Sequence, residues 1–421
     1  MKDKIKEYIK KLILIEKRKN HGFKLLEVIV IMLIVTIIGI FIGSSVVYFA
    51  IKSNVSYVEV ATVSNNGEIT DELHEFMDTY NRLMSTYYKE LDSGELINNA
   101  INGMLESVED PYSTYLNEEE LKSFNERLTG DYKGIGSEIM VNDEGNVTIS
   151  KPFENSPAIK AGLLPGDVVK TVDGINALGM DLTEAVSLIK GPDGTTVKLV
   201  IVRDGKDIEV SIVRAEIEIP SVTSKTIEKD NQRIGFIRID IFSQITDTQF
   251  NLKLKELESG GIDSLIIDVR SNGGGYLHVV KDIVSLFLDK GEIIYQVSDR
   301  TETEIIKDLT AESRDYEVVV LIDSGSASAS EILAGALKES HGALLLGTTS
   351  FGKGTVQETF ELQTGGLVKF TTKKWLTPLG NWVNDVGIDP DKEILLSETY
   401  LSNPIDENDT QLQAAINELV K

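Results

Sequence analysis

The hydrophobic pattern changes character along the chain, and each change marks an element or a domain. Val28 to Ile51 (VIVIMLIVTIIGIFIGSSVVYFAI) is predominantly apolar and carries no charged residue. At about 1.5 Å of rise per residue it covers the roughly 30 Å of a hydrocarbon core, which predicts one transmembrane helix. After a polar stretch ending near Asn66, Leu73, Phe76, Tyr80, Leu83 and Tyr87 recur every three or four positions, the mark of a helix with one apolar face. GELINNAINGMLESV predicts a second helix, ended by Asp110-Pro111 because proline drives the residue before it out of the helical region. These N-terminal helices show no evident chemistry; packing or homodimer formation is their expected use.

From Gly130 the period shortens toward two. NVTISKPF, DVVKTVDG, TVKLVIVRDG and DIEVSIVR are β-branched runs separated by Gly, Asp and Asn turns, with one helical stretch, DLTEAVSLIK, among them. A small half-open β-barrel with a helix fits. From Gly235 strands alternate with helices: FIRIDIF, a helix over TDTQFNLKLKELES, SLIIDV, a helix over HVVKDIVSLFLD, strands near IIYQV and VVVLID, a helix SEILAGALKES and strand ALLLG. Apolar strands alternating with helices predict an α/β layer structure with covered sheet faces. QLQAAINELV is a final helix. At 421 residues the chain is too long for one ordinary core.

Charge adds orientation and excludes a class of partner. Residues 1–52 hold ten Lys/Arg against Asp3, Glu7, Glu16 and Glu27, so with a net charge of -25 overall the rest of the chain carries -31. Nine of the ten precede the apolar run, and after Lys52 the next is Arg82. The positive-inside bias predicts a single-pass protein of the cell membrane, held through residues 28–51, with its body on the extracytoplasmic side. A cleaved signal peptide is the alternative, but the run is long for one and no A-x-A site follows. An acidic body is a poor match to phosphate backbones, so no nucleic acid is expected. The absence of cysteine excludes disulfides, thiolate metal sites and cysteine nucleophiles.

The densest chemical signal is IDSGSASASEILAGALKES, an apolar strand running through small residues into a helix. Ser328 and Glu331 have capping-box spacing, so Ser328 could serve only as a helix cap. As a nucleophile it would instead use the unpaired N–H groups and positive end of the helix to stabilise an oxyanion. Ser326 and Ser330 are alternatives in the same turn. A serine needs a base. His21 and His74 lie too early in the chain, His341 a helix length away, and His278 opens another helix, so a histidine base is disfavoured. No metal-binding spacing occurs and no cofactor is implied. Lys353, flanked by Gly352 and Gly354 after strand ALLLG, is the candidate base, provided burial lowers its pKa. Gln357, four residues on, could hold its amine. Gly347 to Lys353 also matches seven positions of a phosphate-binding loop, but Gly354 stands where Ser or Thr is needed and TVQETFEL reads as a strand. The three glycines of DVRSNGGGY allow a substrate close to the backbone, with a bare N–H as a second oxyanion donor.

GMLESVEDPYSTYL, YKGIG, SPAIKAGLLPGDVVKTVDG, DVRSNGGG, GSASASEILAGAL, GTTSFGKGTVQ and KKWLTPLG together resemble the C-terminal processing peptidases, or tail-specific serine proteases, in order and spacing. The resemblance implies a crotonase-like layered α/β protease core with an inserted PDZ half-barrel, besides the N-terminal helical segment and the transmembrane helix. It implies Ser328 as nucleophile, Lys353 as general base, Gln357 as orienting partner, and the N–H groups of Gly274 and Ala329 as oxyanion hole. It makes Gly134, Ile135 and Gly136 the loop that receives the C-terminal carboxylate of protein or peptide substrates with apolar tails. Two departures stand out: Lys190-Gly191-Pro192 where relatives often have arginine first, and Gly273 where they have proline. The expected parts are a stub and anchor (1–52), a helical segment (53–129), a PDZ domain (130–216) and a protease core with a C-terminal helix (217–421). A peptide-binding scaffold without catalysis is the rival reading, and a nucleotide enzyme the second.

Overall fold

The computed structural model describes residues 70–421 except Thr364, with Lys6, Glu7 and Lys10 before them. The chain divides into two units, one ending at Ser93 and one running from Gly94 to Lys421. In the first, Asp71–Thr86 is a helix of 16 residues, none of them buried. Leu73, Phe76, Leu83 and Tyr87 of the expected apolar face are all exposed.

The fold expectation is corrected on one point. Among the described residues no helix is long and apolar enough to cross a membrane. Asp71–Thr86 rises about 24 Å, short of a hydrocarbon core, and carries charge along its length. Residues 28–51, where the sequence pattern predicts a spanning helix, lie outside the described residues.

In the second unit the chain enters and leaves a small barrel through a two-stranded stalk, Asp131–Gly134 antiparallel to Ala215–Glu218. Between them Ser137–Val141, Val147–Pro152, Val168–Val172, Thr196–Arg203 and Lys206–Val213 form an antiparallel sheet in that order. The helices Pro157–Lys160 and Leu182–Ile189 complete the barrel, the second capped by the Asp181 carboxylate. Alternate residues fill its core, as Val197, Leu199 and Ile201 do from one strand.

The larger layer is built on Val222–Lys229, Gln232–Ile239, Ser264–Asp268, Val318–Ile322, Leu344–Gly347 and Lys392–Glu393, in that order. The first pair is antiparallel and every later pair parallel. Ser264–Asp268 and Val318–Ile322 are buried at every residue, which is why neither alternates between apolar and polar positions. Their side chains alternate between two cores. Leu265, Ile267, Val318, Val320 and Ile322 face the helices Thr246–Ser259, Leu277–Val284 and Ala329–Ala336, while Ile266, Val319 and Leu321 pack under the C-terminal helix Thr410–Leu419. A second sheet centres on the ten-residue strand Leu367–Leu376. It pairs with Thr355–Glu361 on one side and with Thr114–Leu116 and Ile293–Ser298 on the other.

One buried ion network pins the C-terminal helix. Arg270 donates to Asp268 and to Asp409, and Asp409 caps the helix by accepting from the Gln411 and Leu412 N–H groups. Burial pulls the Arg270 guanidinium down, and the two carboxylates more than offset that, raising it above its ordinary value. Asp409→Ala removes a helix cap and half of the counter-charge, so it should cost roughly 3 kcal/mol. Urea unfolding of the variant measures it, and a loss below about 1 kcal/mol would show that the pair contributes little beyond the cap.

Candidate active site

Three neighbouring parallel strands end at the same edge, and the loop after each supplies one part of the site. Ligands gather at the carboxyl ends of such strands because the loops converge there. Ser264–Asp268 leads to the glycine loop, Val318–Ile322 to the turn before Ser328, and Leu344–Gly347 to the loop bearing Lys353.

The turn before Ser328 is fixed by its own small polar residues. The Asp323 carboxylate accepts from the N–H groups of Ser271 (2.7 Å) and Gly325 (2.9 Å). The Ser326 hydroxyl donates to the Val269 carbonyl at 2.8 Å, and the Ser330 hydroxyl to the Asn272 carbonyl at 2.8 Å. Both serines are fully buried. Of the four serines from Ser324 to Ser330, only Ser328 lines the groove. It sits at φ 56° and ψ -112°, a region that a residue with a side chain rarely adopts and that a typical extended helix cap does not use. Such strain concentrates at functional positions because the surroundings must enforce it.

What enforces it is Glu331, one turn into the helix and fully buried. One carboxylate oxygen accepts from the Ser328 N–H (2.7 Å) and the Lys353 N–H (2.9 Å), the other from the Gly352 N–H (2.7 Å) and the Ser350 hydroxyl (2.6 Å). Four donors on one buried carboxylate tie the serine turn to the lysine loop. Sequence reasoning assigned Glu331 only a capping role. Its reach to residues 350–353 was invisible there, and a buried acid inside an apolar helix was the one available signal.

Lys353 is half-buried, and its amine lies 4.8 Å from the centre of the Tyr112 ring. Burial lowers its pKa, Lys369 adds to that, and Asp110 and Glu331 oppose it. The burial does not come from Phe351, which is 54% exposed. The backbone on either side of Lys353 is clamped instead: its carbonyl accepts from the Trp375 indole N–H (2.7 Å), and that of Gly354 from the Trp382 indole N–H (2.9 Å). A Cβ at Gly354 would come within 2.7 Å of the Asn384 nitrogen, so only glycine lets the two segments meet. The chain then continues as the strand Thr355–Glu361, not the helix a phosphate loop requires.

Gln357 lines the same groove, but its amide donates to the hydroxyls of Thr355 (2.9 Å) and Thr371 (3.1 Å), and no hydrogen bond joins it to Lys353. None joins the Ser328 hydroxyl to Lys353 either. Gly274 lies against the serine: at φ 102°, a Cβ there would meet Ser328 Cβ at 2.9 Å and the Ala329 nitrogen at 3.0 Å. Its N–H donates to the Asn272 side chain at 2.9 Å. Asn272 also takes the Ala327 N–H on its carbonyl and donates to the Ile239 carbonyl, so the glycine loop is anchored although a side chain at Gly273 would meet only open space. The groove encloses about 1340 Å³ and includes His278, which the sequence disfavours as a base because it opens another helix. His341 lies away from it, bonded to the Arg314 carbonyl.

Gly134, Ile135 and Gly136 form a buried turn where the stalk meets the barrel, apart from the groove. The Tyr132 ring lies across it, 2.6 Å from where a Cβ on Gly134 would be. Burial pushes the Tyr132 phenol up, and the backbone at Ser137 and Gly136 pulls it partly back. Lys190 stands over the same ring at 4.9 Å and ion-pairs with Glu126.

Compared with known proteins, residues 233–394 match peptidase family S41, residues 148–203 a PDZ domain, and residues 33–120 the N-terminal domain of the activating protease CtpB. The carboxy-terminal processing protease CtpB of Bacillus subtilis (strain 168) is 38% identical over 82% of this chain and 72% of its own length. A probable CtpA-like serine protease of Staphylococcus haemolyticus (strain JCSC1435) is 39% identical over 77% of this chain, but the match spans only 65% of that protein. A putative S41 protease from Bacteroides fragilis has the same fold, with a TM-score of 0.52 at 17% identity over 79% of this chain and 91% of that one. The chain belongs to peptidase family S41 and is a serine-type peptidase with a PDZ domain.

If Glu331 sets the geometry of this site, Glu331→Gln should disable it while leaving the protein folded. Glutamine has one acceptor oxygen for four donors and turns an NH2 toward backbone N–H groups. Cleavage of an unfolded protein should fall about 100-fold or more, the scale of a misplacement near 1 Å. Near-native rates in a variant with unchanged circular dichroism would rule this role out.

Proposed function

We propose that this peptidase hydrolyses peptide bonds of protein substrates through a Ser328/Lys353 dyad and an acyl-enzyme, taking substrates by unstructured, apolar C-terminal tails. The observation that carries the chemistry is a strained, half-buried serine at a helix start sharing one groove with a lysine whose pKa burial lowers. The Ser328 hydroxyl oxygen attacks the scissile carbonyl carbon while its proton passes to the neutral Lys353 amine. The resulting ammonium protonates the departing amine. Water then attacks the acyl-enzyme, giving a proton to Lys353, and the ammonium passes that proton to the Ser328 oxygen as the ester bond breaks, which restores both groups. The Ala329 N–H, at the first position of the helix, and the Gly274 N–H stabilise the oxyanion, the latter once it leaves Asn272. Catalytic hydrogen bonds often tighten only around substrate, so the missing Ser328–Lys353 hydrogen bond does not count against the pair.

The dyad makes a demand on pH. A base that works as the free amine, with its pKa depressed, gains activity as pH rises through that pKa and then plateaus. Ser328→Ala and Lys353→Ala should each abolish cleavage of an unfolded test protein, and the wild-type rate should follow that rising profile. Retained activity in Ser328→Ala, or a profile set near pH 6.5 and moved by replacing His278, would refute the assignment.

Tail recognition rests on the Gly134–Gly136 loop. A terminal carboxylate would accept from the N–H groups of Gly136 and Ser137, and the peptide would add as a strand beside Ser137–Val141. Fluorescence titration of the Ser328→Ala protein with one apolar peptide as free acid and as amide tests this. The amide should bind about tenfold or more weakly, by loss of a charge-assisted bond. Equal affinity would remove tail recognition without touching the dyad.

A further inference from the structure

The amine of Lys353 is shielded in spite of an exposed neighbour, and the shield comes from far away in sequence. The loop Asp110–Ser113 precedes the strand Thr114–Leu116, which pairs with Leu367–Leu376 in the register Thr114 to Lys369. Asp110 folds this loop by accepting from the Tyr112 N–H (3.1 Å) and the Ser113 hydroxyl (2.6 Å). Ser113 in turn accepts the Thr371 N–H at 3.2 Å. The same long strand pairs on its other side with Thr355–Glu361, which starts two residues after Lys353. One strand therefore sets both the lysine and the loop, and the result is the Tyr112 ring over the Lys353 amine at 4.8 Å.

We propose that Tyr112 is a positioning residue for the base: its ring closes one side of the Lys353 amine to water and fixes where the amine sits. This rests on the Ser/Lys reading above. Two effects of the ring oppose each other. Excluding water favours the neutral amine, whereas the ring face attracts an ammonium. Burial is the largest influence on Lys353 and its pKa lies below the ordinary value, the direction in which exclusion of water acts. The other charged groups around the pair are Lys369, which pushes in the same direction, Asp110 and Glu331, which oppose it, and Asp385, which acts on Tyr112 from the loop after Trp382. The Tyr112 hydroxyl has no part in the role. The ring is what matters.

The test is the pH dependence of kcat/KM on an unfolded protein for the whole chain and its Tyr112→Phe, Tyr112→Ala, Tyr112→Gln and Lys353→Ala variants. Tyr112→Phe keeps the ring and should reproduce the native profile. Tyr112→Ala and Tyr112→Gln admit water, so their rising limb should move up by about one pH unit, an activity loss of about tenfold at pH 7 that is recovered at high pH. A merely structural role would lower activity equally at every pH. A limb that stays in place in Tyr112→Gln, a pH-independent loss, or a Tyr112→Phe shift as large as that of Tyr112→Ala would overturn the proposal. Should Tyr112→Ala fail to fold, Tyr112→Gln against Tyr112→Phe carries the comparison. An active Lys353→Ala would sink the dyad itself; an inactive one with an unmoved limb would sink only the role of Tyr112.

Discussion

A buried carboxylate cannot be left without partners, and the site is organised around satisfying the one on Glu331. Its two oxygens collect the N–H groups of Ser328, Gly352 and Lys353 and the Ser350 hydroxyl. Each donor comes from a loop that would otherwise be free to move. Removing any of them would leave charge less compensated in a dry interior, at a cost of a few kcal/mol. The serine turn and the lysine loop are thereby held in one relation, and the strained backbone of Ser328 is held with them. The hydroxyl of Ser350 extends the tie, because it also accepts the Ile388 N–H at 2.7 Å.

The parallel sheet makes that arrangement available. Strands buried on both faces are apolar through their middles, so polar chemistry is pushed to their ends. Asp323, Ser326 and Ser330 use their polar atoms to hold the turn, and that removes the two neighbouring serines from the groove. The glycine loop gains its rigidity from Asn272 rather than from a proline, since Gly273 has open space around it. The second sheet adds the remaining wall: Leu367–Leu376 carries Lys369 and Thr371 and positions both Gln357 and the loop of Tyr112.

The barrel stands off on a two-stranded stalk, and the linking contacts on its loop side involve the helix Glu118–Thr129 as well. Lys190 reaches from the end of the barrel helix Leu182–Ile189 to Glu126 on that helix and covers Tyr132 on the way. A lysine in place of the expected arginine thus finds a definite partner: a point charge on a carboxylate and a ring face, with no planar fork needed.

Much of this was legible in the residues. Periodicity located the strands SLIIDV and VVVLI, the helix Thr246–Ser259 and the strand nature of TVQETF, because burial on one face or two leaves a repeat of fixed length. Small-residue turns at strand ends singled out Ser328, Lys353 and the glycine loop. The helix over HVVKDIVSLFLD ends four residues after Val280, at Val284, since an apolar run does not say where helix gives way to turn. Hydrogen-bond partners across the fold were beyond reach. Nothing in the spacing of residues connects Glu331 with Gly352, Tyr112 with Lys353, or Gln357 with Thr371 rather than Lys353. Those pairings follow from which strands lie side by side, a choice made by the packing of whole faces. Local pattern fixes what each segment can become; the three-dimensional meeting of segments decides which polar atoms are left for chemistry.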